Sequence, residues 1–482
     1  MADPTRGVTG LLLRRARVDG AVVDLRIRDG RVAAIAPELV AEGEGVVDLD
    51  GRVVLRGLWD EHVHVTQAAL AAASLPLGGA GSAAETLALV RAAVDRAAPG
   101  EPVVGMGFQD GVWPDRPTRA ALDAVAGERT VVLVSHDVHA VWLSSAAARR
   151  FGVSPGEDGM LREGPAFAVG QRTNALAAER VEHAVVDLLA AAVRRGVVGV
   201  VDLEMTWNRD VWLERAADGW AGPRIEAGVY GVDVERAGRL GLRTGGPIDP
   251  SGLVRVGPMK VLIDGALNTR TAYCVDPYPD GGTGVLTVPP DELTALLRRS
   301  AAAGLLPAVH AIGDAAVTIA LDAFEAVGVR GRIEHAQLIA DADVPRFGAL
   351  GVTASVQPAH LLDDREVAAE HWPGRTGRAY PLRALLETGA TLAFGSDAPV
   401  APLDPWRAIR AAVERALPGE APWHPEQRIP LEAALDASTR GRARPQVGDA
   451  ADLIALDGPL KALDPDAVAL TLIAGTAVHS TL

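Results

Sequence analysis

The sequence predicts an α/β protein whose main unit is a (β/α)8 barrel of the TIM type. Short apolar strand candidates alternate with Ala- and Leu-rich helical segments from about residue 66 onward, and both ends of the chain are rich in β patterns. The alternation includes more strands than one closed barrel needs. We therefore expect a barrel over 57–439, an insertion over about 66–172 after its first strand, and a small composite β domain formed from both termini, 1–56 plus 440–482.

The two ends of the chain carry short strand candidates. Asp29-Gly30, a pair suited to the positive φ angles of a tight hairpin turn, separates two of them. The candidates lie at 11–18, 22–27, 32–35, 451–456 and 470–478. Because two β-rich ends flank one barrel, we expect them to pair into a single domain.

The barrel strands are short apolar segments separated by helical patterns. With the opening strand there are ten candidates, two more than a closed barrel requires. They lie at 57–65, 103–108, 131–135, 197–203, 225–231, 256–263, 305–310, 332–335, 352–357 and 391–396. The excess is assigned to the insertion, and an insertion of that size also explains why the barrel segment exceeds the typical length of about 250 residues.

The composition excludes several classes of function. The chain has 482 residues and a net charge of −15 at pH 7, so it lacks the positive charge that nucleic acid or an anionic membrane would require. The single cysteine, Cys274, excludes an internal disulfide framework. No apolar run approaches the roughly 20 residues of a transmembrane helix, and we find no signal core. We expect a cytoplasmic protein that binds small molecules, with a homodimer as one assembly open to it.

The opening strand, 57–65, carries the first candidate metal ligands. Its period of two directs Asp60, His62 and His64 to one face. Two neutral imidazoles on one strand face can bind the same cation. Two histidines on one strand can also be polar residues at the rim of a barrel. A metal site therefore needs further ligands from the rest of the chain.

Further ligand types stand at the ends of later strands. His310, His335 and Asp397 each follow or end an apolar strand candidate. Because all barrel strands open on one face at their carboxyl ends, these side chains are expected to converge with His62 and His64. Four imidazoles and a carboxylate suit Zn²⁺ or a neighbouring divalent ion. The alternative is that each residue only caps its strand.

Lys260 has a different role in this prediction. The alternation around it directs Lys260 and Asp264 into the barrel, where a charged ammonium beside a metal would be unfavourable. Desolvation favours the neutral amine, which can react with carbon dioxide to form a carbamate whose two oxygens could bridge two metal ions. The alternative is a salt bridge between Lys260 and Asp264.

The motifs resemble those of the amidohydrolase superfamily, and most closely amidohydrolase family 3, the branch that includes the N-substituted formamide deformylases. The resemblance runs in order over nearly the whole chain. It rests on His62-Val63-His64, Lys260 with Asp264-Gly265, His310-Ala311-Ile312-Gly313-Asp314, Glu334-His335-Ala336, Gln357-Pro358-Ala359-His360 and Gly395-Ser396-Asp397-Ala398-Pro399-Val400.

The resemblance implies one or two metal ions in a barrel with a composite β domain. It assigns the metal ligands to His62, His64, His310, His335 and Asp397, with Lys260 as the lysine that many members carboxylate. Two departures concern the loops and the β domain: Arg56 replaces the usual proline, and the segment 440–449 is short.

Other residues are assigned to substrate and catalysis. His139, on the insertion, and His360, at a strand end, resemble substrate-facing positions and are assigned to catalysis together with Asp397. Arg270 is expected to hold a carboxylate or carbonyl oxygen, and Asp264 and Trp142 are also assigned to the substrate. For each of them the alternative is a structural hydrogen bond or simple packing.

These assignments predict a metal-dependent hydrolase of a C–N bond in a small amide, N-formyl or N-acyl compound or cyclic imide. A metal-activated hydroxide would attack the carbonyl carbon, and Asp397 would accept the proton and return it to the leaving nitrogen. His139 or His360 would help the metal to stabilise the oxyanion. The alternatives are a mononuclear deaminase of amino-heterocycles from the same superfamily and a non-catalytic barrel scaffold.

Overall fold

The structure is a computed structural model that describes residues 10–98, 100–174, 178–217 and 219–482. Within those residues the strands form three sheets. In chain order the strands are β1 (Gly10–Val18), β2 (Ala21–Arg28), β3 (Arg31–Ala36), β4 (Gly45–Asp48), β5 (Val53–Arg56), β6 (Leu58–Val63), β7 (Leu75–Pro76), β8 (Val103–Phe108), β9 (Val131–Ser135), β10 (Ala140–Leu143), β11 (Met160–Arg162), β12 (Val197–Asp202), β13 (Arg224–Tyr230), β14 (Val254–Leu262), β15 (Pro307–Ala311), β16 (Arg332–His335), β17 (Thr353–Val356), β18 (Leu392–Phe394), β19 (Leu453–Leu456), β20 (Val468–Ile473) and β21 (Thr476–Ser480).

The α-helices of the described residues begin after β6 and fall in the segments that connect later strands. They are α1 (Val65–Ala72), α2 (Ala83–Arg96), α3 (Arg119–Ala126), α4 (Ser145–Phe151), α5 (Gly164–Asn174), α6 (Ala178–Arg194), α7 (Asn208–Ala217), α8 (Val234–Arg239), α9 (Pro290–Ala302), α10 (Asp314–Val327), α11 (Val344–Leu350), α12 (His360–His371), α13 (Leu382–Glu387), α14 (Pro405–Glu414) and α15 (Leu431–Ser438). Among the described residues, none of these helices has the length and apolar character needed to cross a membrane.

Eight strands from the two ends of the chain form one sheet. Its order is β21-β20-β19-β5-β1-β2-β3, with β4 paired to β1, and the antiparallel pair β5 and β19 joins the two chain ends. Asp29 and Gly30 have φ angles of 49° and 69°, as the predicted hairpin between β2 and β3 requires. Leu13, Leu25 and Leu472 pack in the core of this sheet. The division of the chain into domains at residues 57 and 439 stays a prediction.

The second sheet is the predicted barrel. Its order is β18-β17-β16-β15-β14-β13-β12-β6, and all neighbouring strands are parallel. The two edge strands meet at their carboxyl ends, where a parallel bridge pairs Val63 with Ala398. Helices pack on the outside, as in the contact of Leu293 and Leu297 of α9 with the core around Val309 of β15. The parallel α/β barrel is therefore confirmed.

The third sheet lies in the predicted insertion. Five strands in the order β11-β10-β9-β8-β7 form this sheet, and in the sequence they fall between the paired barrel strands β6 and β12. The two surplus strands of the sequence pattern, 103–108 and 131–135, are β8 and β9 of this sheet. Because the chain leaves the barrel at the carboxyl end of β6, the insertion emerges on the face where the barrel strands end.

Candidate metal centre

Strand β6 positions the two histidines of the His-x-His motif. His62 lies on the strand and His64 directly after it, where α1 begins. Both side chains are buried, and each Nε2 atom is 3.3 Å from Oδ1 of Asp397. The period of two therefore brings both imidazoles to the same carboxylate, as the sequence predicts.

Two other site residues, one at the end of β16 and one shortly after β18, have unusual backbone conformations. His335 has a φ of 71° and Asp397 a φ of 54°, both in the left-handed region. A side chain in that region costs on the order of 1–3 kcal/mol, and such strain is concentrated at functional sites. Nδ1 of His335 is 4.0 Å from Oδ2 of Asp397.

His62, His335 and Asp397 form a buried cluster that can hold a metal ion. One ligand atom from each lies within 4.8 Å of the others. Burial lowers the pKa of His62 to about 4 and the pKa of His335 well below its usual value, so both rings are neutral and offer lone pairs. Burial opposes the charge of Asp397, but contacts with the surrounding histidines, including a hydrogen bond with His64, outweigh burial and hold the pKa of Asp397 well below its usual value. Neutral imidazoles with an ionised carboxylate are a donor set suited to a divalent cation such as Zn²⁺.

His310 lies beside this cluster with one nitrogen engaged elsewhere. Its ring centroid is 4.4 Å from that of His335, and burial holds its pKa well below the usual value. Its Nε2 lies 3.2 Å from the carbonyl oxygen of Gly265, to which it can donate a hydrogen bond. The lone pair then belongs to Nδ1, so Nδ1 is the atom that remains for a metal.

Lys260 is buried in β14 and contacts the same cluster. Its Nζ atom is 3.3 Å from Nε2 of His62. Burial lowers the pKa of Lys260 to about 8, although Glu334 and Asp397 oppose that shift. In the described part of the chain no ion pair joins Lys260 to Asp264, so the alternative prediction of a salt bridge between them is wrong.

Asp264 has a structural set of partners. Its carboxylate accepts hydrogen bonds from the backbone N–H groups of Tyr273, Ile312 and Gly313 at 2.9–3.2 Å. Burial raises the pKa of Asp264 to about 7 against these hydrogen bonds. Asp264 therefore joins the loops that follow β14 and β15 and lies outside the pocket lining, which differs from the position expected of a substrate-binding residue.

Arg270 and Trp142 also differ from their predicted positions. The Arg270 side chain is about half exposed and pairs with Asp280 at 3.0 Å, outside the lining of the pocket over the metal cluster. Trp142 is fully buried and packs in the core of the insertion, 6.4 Å from Trp113 between ring centroids. Isolated tryptophans pack more often than they bind ligands, and Trp142 follows that rule.

A pocket opens above the metal cluster, and the insertion supplies part of its wall. His335 and Asp397 belong to its lining, together with His139 and His360. His139 comes from the turn between β9 and β10, and His360 begins α12, where its Nε2 lies 3.2 Å from the carbonyl oxygen of Ser396. The structure therefore brings both predicted catalytic histidines to the pocket.

Glu163 contacts the pocket residue His139, and the sequence analysis did not identify it. Its Oε2 lies 2.9 Å from Nδ1 of His139, and its Oε1 accepts a hydrogen bond from Oγ1 of Thr271 at 2.5 Å. Although burial opposes charge on His139, Glu163 raises the pKa of His139 to about 9. Glu163 directly follows the short strand β11, and no spacing in the sequence relates it to His139.

Glu334 is the second residue that sequence reasoning missed. It was part of the Glu334-His335 motif, but no role was assigned to it. Its Oε2 is 2.7 Å from Nδ1 of His62, on the side of the ring opposite Asp397. A carboxylate next to a strand-end histidine is the only local signal that could have identified it.

The eight-stranded parallel barrel carries a buried His/His/Asp cluster that could hold a metal, and the comparisons with known proteins identify its class as that of the metal-dependent hydrolases. The sequence profile of the amidohydrolase family matches residues 45–479. The chain is 27% identical to the putative amidohydrolase YtcJ of Bacillus subtilis, with 90% of each chain covered. It is 26% identical to the N-substituted formamide deformylase of Arthrobacter pascens, with 89% of each covered. A metal-dependent hydrolase from Pyrococcus furiosus has a similar structure, with a TM-score of 0.75, 26% identity, and 95% of this chain and 100% of that chain covered.

The chain belongs to the amidohydrolase family. The resemblance seen in the sequence motifs is thereby confirmed. So is the predicted enzyme class, a hydrolase that acts on carbon–nitrogen bonds.

Proposed function

We propose that this protein hydrolyses the C–N bond of a small amide, in particular an N-formyl or N-acyl compound or a cyclic imide. The observation that carries the proposal is the buried cluster of His62, His335 and Asp397, of which His335 and Asp397 line a pocket. The relative from Arthrobacter pascens, whose name states an activity on N-substituted formamides, supports a formyl or acyl substrate.

Zn²⁺ is the proposed metal, and His62, His64, His310, His335 and Asp397 are the proposed ligands. The neutral imidazoles and the ionised carboxylate found in the cluster match the ligands that zinc prefers. When bound there, such an ion supplies Lewis acidity and lowers the pKa of a coordinated water.

Three pocket residues have proposed roles in catalysis. Asp397, which its low pKa keeps ionised and free to accept a proton, is the base that takes a proton from the attacking water and returns it to the leaving nitrogen. His139, held by Glu163, donates a hydrogen bond to the substrate carbonyl oxygen as negative charge develops on it. His360, whose Nε2 lies 3.2 Å from the Ser396 carbonyl oxygen, is the alternative residue proposed to stabilise that negative charge.

Lys260 is proposed to be carboxylated, in which case its carbamate would serve as a ligand to one or two metal ions. Its depressed pKa increases the neutral fraction of the amine, which is the form that reacts with carbon dioxide. Its Nζ faces the cluster through His62, and Asp264 makes no competing ion pair with it. A carbamate would replace the unfavourable buried ammonium by an anionic ligand.

The test is a substrate screen with protein that has been loaded with Zn²⁺ and with the same protein after chelation. We expect amine release from N-substituted formamides or other N-acyl compounds, loss of activity on chelation, and recovery when zinc is restored. Ammonia release from amino-heterocycles without any amide hydrolysis would contradict the proposal and favour the deaminase. A metal-loaded protein that hydrolyses none of the amides, imides, carbamates or esters would also contradict it.

A further inference from the structure

We propose that Glu334 is a positioning residue for the metal centre. Its carboxylate holds the His62 ring so that the Nε2 lone pair is directed toward the other proposed metal ligands. This inference rests on the proposed metal site. It assigns a role to a buried carboxylate that neither contacts the pocket nor belongs to the proposed ligands.

The geometry around His62 places the two nitrogen atoms in different environments. Nδ1 is 2.7 Å from Oε2 of Glu334, whereas Nε2 is 3.3 Å from Oδ1 of Asp397. An ionised carboxylate can only accept hydrogen bonds, so Nδ1 must carry the hydrogen of the neutral ring. The lone pair then lies on Nε2, where a metal ion would be bound.

A second neighbour of Nδ1 does not change this assignment. The amide Nε2 of Gln357 lies 3.4 Å from the same Nδ1 atom, a longer contact than that of Glu334. An amide nitrogen donates, and a protonated Nδ1 cannot accept its hydrogen bond. The shorter, charge-assisted contact with Glu334 therefore decides which nitrogen is protonated.

A buried ion network keeps Glu334 ionised. Arg332 contacts both carboxylate oxygens of Glu334, and Oγ of Ser355 donates a hydrogen bond to Oε2 at 2.7 Å. Arg332 also binds Glu61 at 2.9 Å, and Glu61 in turn binds Arg440 at 2.6 Å. Positive and negative groups thus alternate from Arg440 to Glu334, and the chain of contacts ends at His62.

This arrangement has a consequence for metal affinity. A carboxylate that accepts the second N–H of a metal-binding histidine fixes the ring and raises its basicity, and its loss typically costs about 10–100-fold in affinity or activity. Glu61 provides a matched control because it is a buried carboxylate of the same network whose oxygens pair with Arg332 and Arg440 and not with the His62 ring.

The experiment compares the Zn²⁺ dissociation constants of the wild type, Glu334→Gln and Glu61→Gln by competition with a chromogenic chelator, with circular dichroism to monitor folding. We expect zinc binding to weaken by about 10–100-fold in Glu334→Gln. The Glu61→Gln protein should retain an affinity close to that of the wild type.

Two outcomes would overturn the inference while leaving the proposed function intact: a folded Glu334→Gln protein with wild-type affinity, or equal losses in both variants. A wild-type protein that binds no zinc would overturn the inference and the proposed function together. Should Glu334→Gln fail to fold, Ser355→Ala decides, because it removes one hydrogen bond to Oε2 and keeps the carboxylate. Weaker zinc binding in Ser355→Ala supports the inference, and unchanged binding overturns it.

Discussion

The backbone N–H of Asp397 donates a hydrogen bond to the carbonyl oxygen of His62 over 2.7 Å, and this bond joins the first and last barrel strands at the candidate metal centre. Asp60 strengthens the same junction, because its Oδ1 accepts hydrogen bonds from the N–H groups of His62 and Ser396. Both strands carry proposed ligands. The same contacts therefore close the barrel and bring the proposed ligands together.

Gly395 allows this close approach. A Cβ atom at Gly395 would lie 2.6 Å from both Cβ and the backbone nitrogen of His62, so one strand would have to move. We expect Gly395→Ala to destabilise the fold by about 1–3 kcal/mol and to reduce zinc binding, measured by thermal unfolding and by elemental analysis. Gly170→Ala, where the added Cβ meets nothing within 4 Å, is the control. Wild-type stability and metal content in Gly395→Ala would contradict this account of the junction.

Substitution of the proposed ligands should remove metal and activity together. We expect His62→Ala and His310→Ala to retain about a tenth or less of the wild-type metal, since each loses a donor that the buried site cannot replace. Elemental analysis after dialysis measures this content. His424→Ala, which removes a histidine paired with Glu426 outside the cluster, should retain full metal content. Full metal content in the ligand variants would exclude these residues from the site.

His139→Ala should lower turnover and leave the metal in place. If His139 donates a hydrogen bond to the developing oxyanion, its loss should reduce kcat by about 10²-fold or more. Steady-state kinetics on the best amide substrate and a parallel metal determination separate the two effects. Wild-type kinetics would remove His139 from catalysis, and loss of metal would show that it supports the site instead.

Lys260→Ala should reduce the metal content toward one ion or none and abolish most activity. Short carboxylic acids are expected to restore part of the activity by occupying the position of the carbamate. Lys260→Arg should not restore activity, because a guanidinium stays charged and offers no lone pair for carbon dioxide. A carbamate signal after growth with ¹³C-labelled bicarbonate, measured by ¹³C NMR, would test the modification directly. An unmodified lysine beside a single metal ion would contradict the bridge.

Trp142→Ala should affect stability rather than substrate recognition. The indole is fully buried in the core of the insertion, so its truncation should cost about 3–5 kcal/mol of folding free energy. Denaturant unfolding measures the loss, and KM on the folded fraction should stay near the wild-type value. A large increase in KM with unchanged stability would return Trp142 to the substrate site.

The pattern of apolar and polar residues along the chain was sufficient to predict the barrel and the residues that could bind a metal. Apolar strands recur at intervals that allow intervening helices, and such a pattern produces a parallel sheet whose carboxyl ends meet on one face. His62, His335 and Asp397 could be identified because each stands at or near the end of an apolar strand. The ten strand candidates exceeded the eight of a closed barrel, and two of them were therefore assigned to the insertion.

Packing between distant segments determines which side chains come into contact when they are far apart in the sequence. His62 and Glu334 are 272 residues apart, and Glu163 reaches both His139 and Thr271 only because the insertion folds back over the barrel. The same packing determines that Trp142 is buried in the core of the insertion and that Arg270 pairs with Asp280. Periodicity follows from backbone geometry within a few residues and can be read along the chain. The direction of a loop and the partner of a buried charge depend on how distant segments pack, so no local pattern contains them.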